Sequence, residues 1–241
     1  MENKTVIAII QAHMSSSRLP GKVMMNICDE PALYRMLERV KRSKRLDDIV
    51  VATSTMECDD VIVDKCHEWG VRTFRGSNSD VLSRYWWASR EYPADIYVRL
   101  TSDCPLICAE VIDDTIDFYM SSGKRYVSTL GFPIGVGAEV FSAELLKEDY
   151  ENAKEPFEHE HVTPYMYLRQ GSIGRMKNNI ACPEYRITLD TAEDYKVICA
   201  VYNELYPKNP EFSFDDIIAF LNTHPEVVAI NSMIKQKGLM D

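Results

Sequence analysis

A chain of 241 residues, 46% hydrophobic and 27% charged, has the composition of an ordinary soluble globular protein and the length of one large α/β domain, or of a domain with a modest insertion, with a sizeable core. Its 27 Lys and Arg against 37 Asp and Glu leave a formal charge of −10, which speaks against a nucleic-acid surface but leaves room for a small anion held by local cations. Seven cysteines without CxxC spacing, and an N-terminal apolar run too short for a signal peptide or a membrane span, point to reduced, mostly buried thiols in a cytoplasmic protein.

The elements begin with "TVIAII", Thr5 to Ile10, a β-branched run suited to a strand buried on both faces of a parallel sheet. The loop that follows, to Lys22, carries hydroxyls and the permanent cations Arg18 and Lys22. At the carboxyl end of a first strand it reads as a polyphosphate cradle, or equally as a polar turn redirected by Pro20-Gly21. Pro31 to Arg45 places Leu33, Met36, Leu37 and Val40 on one helical face. Asp48 to Thr53 predicts a strand, Asp59 to Trp69 a helix, and Val71 to Phe74 a short strand. Ser77 and Ser79 are candidate caps for a helix over Val81 to Arg90, and Asp95 to Leu100 predicts a strand ending in "TSDCPLI". The alternation implies right-handed crossovers and a mostly parallel sheet. From Tyr126 the rhythm changes to irregular strands and turns, then a helix within Glu155 to Tyr167. Tyr185 to Asp190 returns as a strand, Thr191 and Asp194 form a capping pattern, and Phe214 to Lys237 predicts one or two outer helices.

Asp103 lies just beyond one predicted strand and Asp190 ends another, where ligands bind in open α/β sheets. Each alone reads as a helix cap; together, opposite the cationic loop, they read better as a Mg²⁺ site. "FRGSNSDVLSRY", with Arg75, Gly76, Ser77, Asp80 and Arg84, reads as a base or ribose contact or as a surface turn. Alternation of Glu158, His159, Glu160 and His161 is poor for one helical face, which leaves His161 as a substrate contact and the others as surface charges. Met24, Met25, Trp86 and Trp87 read as packing residues. The chain has no Walker lysine motif, no Gly-x-Gly-x-x-Gly and no Gly-x-Ser-x-Gly, which disfavours P-loop, dinucleotide-binding and α/β-hydrolase folds.

The ordered segments "IIQAHMSSSRLPGKV", "VVATST", "FRGSNSDVLSRY", "VRLTSDCPLI", "GAEVF", "EHVTPY" and "YRITLDTAED" resemble the cytidylyltransferase family of the spore coat polysaccharide biosynthesis protein F type. That group is similar to the acylneuraminate and 3-deoxy-manno-octulosonate cytidylyltransferases. The resemblance implies a Rossmann-like nucleotide-diphospho-sugar transferase fold, a mostly parallel mixed sheet with helices on both faces. It implies one domain over residues 1–241, with an irregular acceptor and dimerisation segment at about 126–167. The implied reaction is Mg²⁺-dependent attack of an acidic or modified sugar on the α-phosphorus of CTP, releasing pyrophosphate, for surface glycan synthesis. A different nucleoside triphosphate, or nucleotide binding with little catalysis, are the alternatives.

By the same resemblance Arg18, Lys22, Asp103 and Asp190 are the catalytic set, the two aspartates holding Mg²⁺. Gln11, Ala12, His13, Ser15, Ser16, Ser17, Thr53, Arg75 and Ser102 belong with them around the nucleotide, and Glu139 and His161 face the acceptor. The family usually has arginine at His13, glycine at Ser15, a smaller residue at Ser102 and an aspartate near Gly137. Gly131 to Phe141, with Phe132 and Ile134, is where relatives pair, so a homodimer is expected.

Overall fold

The structure, a computed structural model, describes residues 4–169, 171–180, 185–236 and 238. Strand β1 (Val6–Gln11) is buried along all but its last residue. Such a run of branched side chains fits only an interior strand covered on both faces. A small hairpin of β2 (Asn26–Ile27) and β3 (Glu30–Pro31) leads into α1 (Ala32–Val40). The predicted face of α1 is fully buried, but the helix stops short of Arg45. There Ser43 Oγ and the Lys44 and Arg45 amides donate to Asp113 instead of continuing the helical ladder.

Strand β4 (Asp48–Ser54), α2 (Asp60–Glu68), β5 (Arg72–Gly76), α3 (Val81–Glu91) and β6 (Ile96–Thr101) follow as the alternation requires. Asp80, not Ser77 or Ser79, caps α3 by accepting from the Ser83 amide at 2.9 Å. After α4 (Ala109–Ser122), β7 (Tyr126–Leu130) and β8 (Glu139–Ser142) form the irregular region. α5 (Ala143–Asn152), α6 (Pro156–His161), α7 (Pro164–Arg169) and β9 (Ile173–Lys177) come next. The single helix predicted over Glu155 to Tyr167 is thus two: Pro164 cannot extend a ladder, and Val162 turns the chain at φ 71°. The chain closes with α8 (Ala192–Leu205), α9 (Phe214–Thr223) and α10 (Pro225–Ala229); Lys237 lies outside the described residues.

One seven-stranded sheet in the order β5-β4-β1-β6-β8-β7-β9 organises these elements. The β1–β4, β1–β6, β4–β5 and β7–β9 pairs are parallel, and β8 runs against both β6 and β7. Apolar clusters cover both faces, one under α1, α4, α8 and α9, the other under α3, α5 and α7. Tyr185–Asp190 is extended as expected but is no strand of this sheet; it meets the loop before β8 through one bridge, Ile134 to Arg186. Its alternation explains the placement. Tyr185, Ile187 and Leu189 join the core while Thr188 and Asp190 turn toward the carboxyl ends of the strands.

The six described cysteines are free thiols, of which Cys66 and Cys108 are buried; Cys182 lies outside the described residues. Burial pushes the Cys66 thiol up to about 12 and Cys108 up to about 11, so neither is a nucleophile at neutral pH.

Candidate active site

The loop after β1 is held by its backbone. Ala12 bonds its amide to Ala52 O at 3.1 Å, and the Gly21 amide closes back on Met14 O at 2.8 Å. Gly21 has φ 72°, a left-handed turn that a side chain would strain. Buried Asp59 clamps the centre, accepting from the Met14 amide at 2.7 Å and from Ser54 Oγ. Burial alone would raise the Asp59 carboxyl; the Ser54 hydroxyl and the Met14 amide hold it below the ordinary value. The loop is therefore a fixed frame that turns its hydroxyls outward.

They face a cleft of about 770 Å³ at the carboxyl ends of the strands. His13, Ser15, Ser16, Ser17, Arg18 and Lys22 line it from the loop. Gln11, Asp103, Asp190, Glu139 and His161 line it from the surrounding elements. The remaining expected residues do not reach it. Ala12, Thr53 and Ser102 are buried behind the loop. Arg75 turns away: its guanidinium donates to Ser54 O and Met56 O and pairs with Asp60 at 2.6 Å. His159 pairs with Asp80 at 3.0 Å on α3. Phe132 packs on Phe214 of its own chain, while Ile134 is 39% exposed and lines the cleft.

The densest chemistry joins residues from both ends of the chain. Lys22, only 6% exposed, donates from Nζ to Asp103 Oδ2 at 3.1 Å and to Asp190 Oδ1 at 2.8 Å. Burial would strip its proton, but the two carboxylates raise its pKa above the ordinary value. Asp103 is shifted the other way: burial raises it, and the Lys22 charge overcomes that and lowers it. Asp190 Oδ2 also takes Arg18 at 3.0 Å and Arg186 at 2.9 Å. Arg186 is fixed in turn by Asp194, its Nε 2.8 Å from Oδ1 and its second nitrogen 3.0 Å from Oδ2. Neither aspartate caps a helix. Cys108 precedes α4, and Thr191 with Asp194 forms the capping box of α8.

Asp103 and Asp190 thus straddle one cationic position, with the Lys22 ammonium in it. A pair of hard oxygens around one cation fits Mg²⁺, an ion bound through one or two carboxylates with phosphates and water completing its shell. Among the described residues no group of three or more His, Cys, Asp or Glu gathers, so the chain supplies only part of such a shell.

At the far end Glu139 accepts from Arg99, from the Tyr126 hydroxyl and from Thr163 Oγ1 at 2.8 Å. Burial would weaken the Arg99 charge, but Glu139 opposes it and pushes the guanidinium up; burial and Glu139 both raise Tyr126. Asp59, Arg99 and Arg186 are residues in or behind the site that the sequence does not single out, whereas Arg84, which reads there as a base or ribose contact or as part of a surface turn, lines the cleft. One signal was available: Arg99 in "DIYVRL" and Arg186 in "YRITLD" sit inside apolar runs, where a buried charge must find a partner.

The strand order, with β8 antiparallel to its neighbours and a polar cleft at the carboxyl ends of the others, defines an open α/β architecture of the kind that binds ligands at that edge. Residues 7–217 match the cytidylyltransferase family model. The chain is 34% identical over 230 residues to spore coat polysaccharide biosynthesis protein SpsF of Bacillus subtilis, covering 92% of this chain and 95% of that one. A solved cytidylyltransferase from Leptospira borgpetersenii has a TM-score of 0.89 at 33% identity, covering 97% of this chain and 100% of that one. A CMP:2-keto-3-deoxy-manno-octonic acid synthetase complexed with CTP shares the fold, with a TM-score of 0.67 at 16% identity over 83% of this chain and 99% of that one. The protein belongs to the cytidylyltransferase family, with the Rossmann-like fold of the nucleotide-sugar transferases.

Proposed function

We propose that the protein transfers CMP from CTP to a hydroxyl of an acidic or modified sugar, with Mg²⁺ and with release of pyrophosphate, for surface glycan assembly. One observation carries this reading: a buried lysine shared by two aspartates at the strand ends, beside a hydroxyl-rich loop and a further arginine. Such transfer needs no covalent nucleophile; positioning and charge neutralisation supply most of the acceleration.

Arg18 and Lys22 neutralise the triphosphate, and the loop hydroxyls orient it. Asp103 and Asp190 would hold Mg²⁺, whose contribution is to polarise the α-phosphorus and stabilise the leaving pyrophosphate. Arg186, held in two directions by Asp194, fixes the Asp190 carboxylate. Glu139, with Arg99, Tyr126 and Thr163 on its oxygens, positions the acceptor and is no free general base. His161 lines the same end. The chain acts as one cytidylyltransferase-like domain and pairs as a twofold homodimer through the segment around Gly131 to Phe141, where Leu130 and Ile134 are exposed apolar residues.

A thermal-shift panel of CTP, UTP, GTP and ATP with Mg²⁺ tests the nucleotide, since a ligand of the native state raises its stability. Stabilisation by CTP above the others is expected; stabilisation by UTP or GTP with none by CTP overturns the reading. Pyrophosphate release with CTP, Mg²⁺ and a library of sugar acids and sugar phosphates tests turnover. Light scattering that reports a monomer at micromolar concentration removes the dimer.

A further inference from the structure

Arg84, on the second turn of α3, is 2% exposed and lines the cleft. Its Nε and one terminal nitrogen are buried without a hydrogen-bond partner among the described residues. Both nearby carboxylates are already engaged. Asp59 takes the Met14 amide and Ser54, and Asp80 takes the Ser83 amide and His159. The other buried arginines of the site contrast with it: Arg99 has Glu139, and Arg186 has Asp190 and Asp194. Burial holds the Arg84 guanidinium below its ordinary pKa, the mark of a cation short of neutralising neighbours.

The fold makes room for this side chain. A Cβ on Gly76 would lie 2.9 Å from Arg84 Cγ and 3.0 Å from Phe74 Cε1, so glycine at the end of β5 leaves the arginine stem uncrowded. Arg84 lines the same cleft as His13 and the hydroxyl loop, and after burial its charge is the strongest influence lowering the His13 pKa, ahead of Lys22. A buried, unpaired guanidinium under that loop calls for a full negative charge, which a neutral carbonyl does not supply.

We propose that Arg84 is a phosphate-binding residue on the floor of the cleft, taking an anionic oxygen of the polyphosphate chain from beneath while Arg18 and Lys22 take it from the rim. The assignment deepens the nucleotide reading of this cleft and rests on it. Without ligand, His13 beside it is a neutral hydrogen-bonding group near pH 7 and not a third cation.

Calorimetric titration of wild type, Arg84→Gln, Arg84→Lys and Gly76→Ala with CTP, cytidine and inorganic tripolyphosphate tests it, together with melting of each protein alone. Arg84→Gln weakens CTP and tripolyphosphate by about 10- to 100-fold, the range of a charge-assisted hydrogen bond, and leaves cytidine unchanged. Its melting temperature without ligand stays level or rises, because an uncompensated buried charge is gone. Arg84→Lys keeps the charge but loses the planar fork and falls between the two. Gly76→Ala, which crowds the arginine stem, repeats the pattern more weakly and keeps the test alive if a variant at position 84 does not fold. Unchanged tripolyphosphate affinity in Arg84→Gln overturns the proposal. Equal losses for cytidine and CTP also overturn it, by assigning Arg84 to the base. Arg84-dependent tripolyphosphate binding without CTP preference leaves this inference standing and removes the CTP reading; a wild type that binds neither removes both.

Discussion

At the loop end of the cleft, Arg18, Lys22 and Arg84 face Asp103 and Asp190, and at least two of these cations hold carboxylates that an incoming polyphosphate would compete for. At the opposite end Glu139 is saturated by Arg99, Tyr126 and Thr163 within the protein, so its charge is settled before any ligand arrives. The first end is built to exchange partners, the second to hold a shape. A pre-settled network confers geometric selectivity at little electrostatic gain, whereas exchangeable ion pairs confer affinity for charge.

The largest expected effect breaks the exchangeable end. Asp103→Asn and Asp190→Asn should each cut pyrophosphate release by at least about a hundredfold, because each removes a carboxylate from the position Lys22 marks. Their stabilities should differ. Asp190 is 5% exposed and holds Arg18, Lys22 and Arg186, so Asn there should lower the melting temperature by roughly 5–10 °C. Asp103 meets only Lys22 among these cations, and its Asn variant should melt within about 2 °C of wild type. Near-normal turnover in either variant would remove that residue from the site; equal melting shifts would show that the two carboxylates are not as unlike as their partners suggest.

Glu139→Gln strikes the settled end. It leaves the buried Arg99 without its counter-charge, so acceptor kcat/KM should fall roughly 10- to 100-fold while CTP affinity changes less than about twofold. An equal loss in CTP affinity would mean that the two ends are one electrostatic unit.

The same division separates what could be read from the chain. The run Thr5 to Ile10, the amphipathic face of α1 and the Thr191–Asp194 box are local signals, and each appears where its periodicity or capping chemistry puts it. Arg18, Lys22, Asp103 and Asp190 stood out because unusual charges sit at strand ends. Asp59 did not, since it looks like a helix-start acid, and Arg84 was legible only as a base or ribose contact or as part of a solvated helix face. Only the sheet order shows that one lies beneath the loop and the other faces the cleft. Tyr185–Asp190 has a strand's alternation but lies against the loop before β8 and not along β5 or β9, the edges of the sheet, a tertiary fact invisible in six residues. The break at Val162 was missed because a charged, His-rich stretch masked the Pro164 signal.

A smaller effect is stored in the helices behind the settled end. Asp149 on α5 is fully buried with neither oxygen hydrogen-bonded among the described residues, and burial, then Glu158, push its carboxyl up to about 8. Glu158 stays ionised, accepting from the Lys154 and Glu155 amides at 2.7 and 3.0 Å and pairing with Arg169 at 2.7 Å. An unfolded aspartate ionises near 3.8, so folding takes up a proton, and the Asp149 contribution to stability declines as pH rises from there to about 8. Asp149→Asn removes that decline. Its melting temperature should exceed wild type by about 4 °C at pH 8 and by little near pH 5, read by calorimetric scans. A gain independent of pH would show that Asp149 is ionised in the native protein.

The smallest effect sharpens the balance of charge at the loop. His13 sits with Nδ1 3.0 Å from Ser15 Oγ, and burial, then Arg84 and Lys22, hold its pKa below the ordinary imidazole value. It is neutral near pH 7, and its proton returns only as pH falls further or as an anion arrives beside it. CTP affinity of the wild type should therefore strengthen as pH falls from roughly 8 to 6, most steeply at the acid end. His13→Arg supplies a permanent cation, but beside Arg84 and Lys22 it meets the same repulsion that depresses the imidazole. The net tightening should be about threefold, not the order of magnitude a fresh bidentate contact would bring, and the pH dependence should flatten. His13→Ala should lose affinity chiefly at low pH. CTP titrations of the three proteins across that range decide the matter. Superimposable profiles would take His13 out of the phosphate site, and a gain above tenfold in His13→Arg would mean that Arg84 and Lys22 leave the loop short of positive charge.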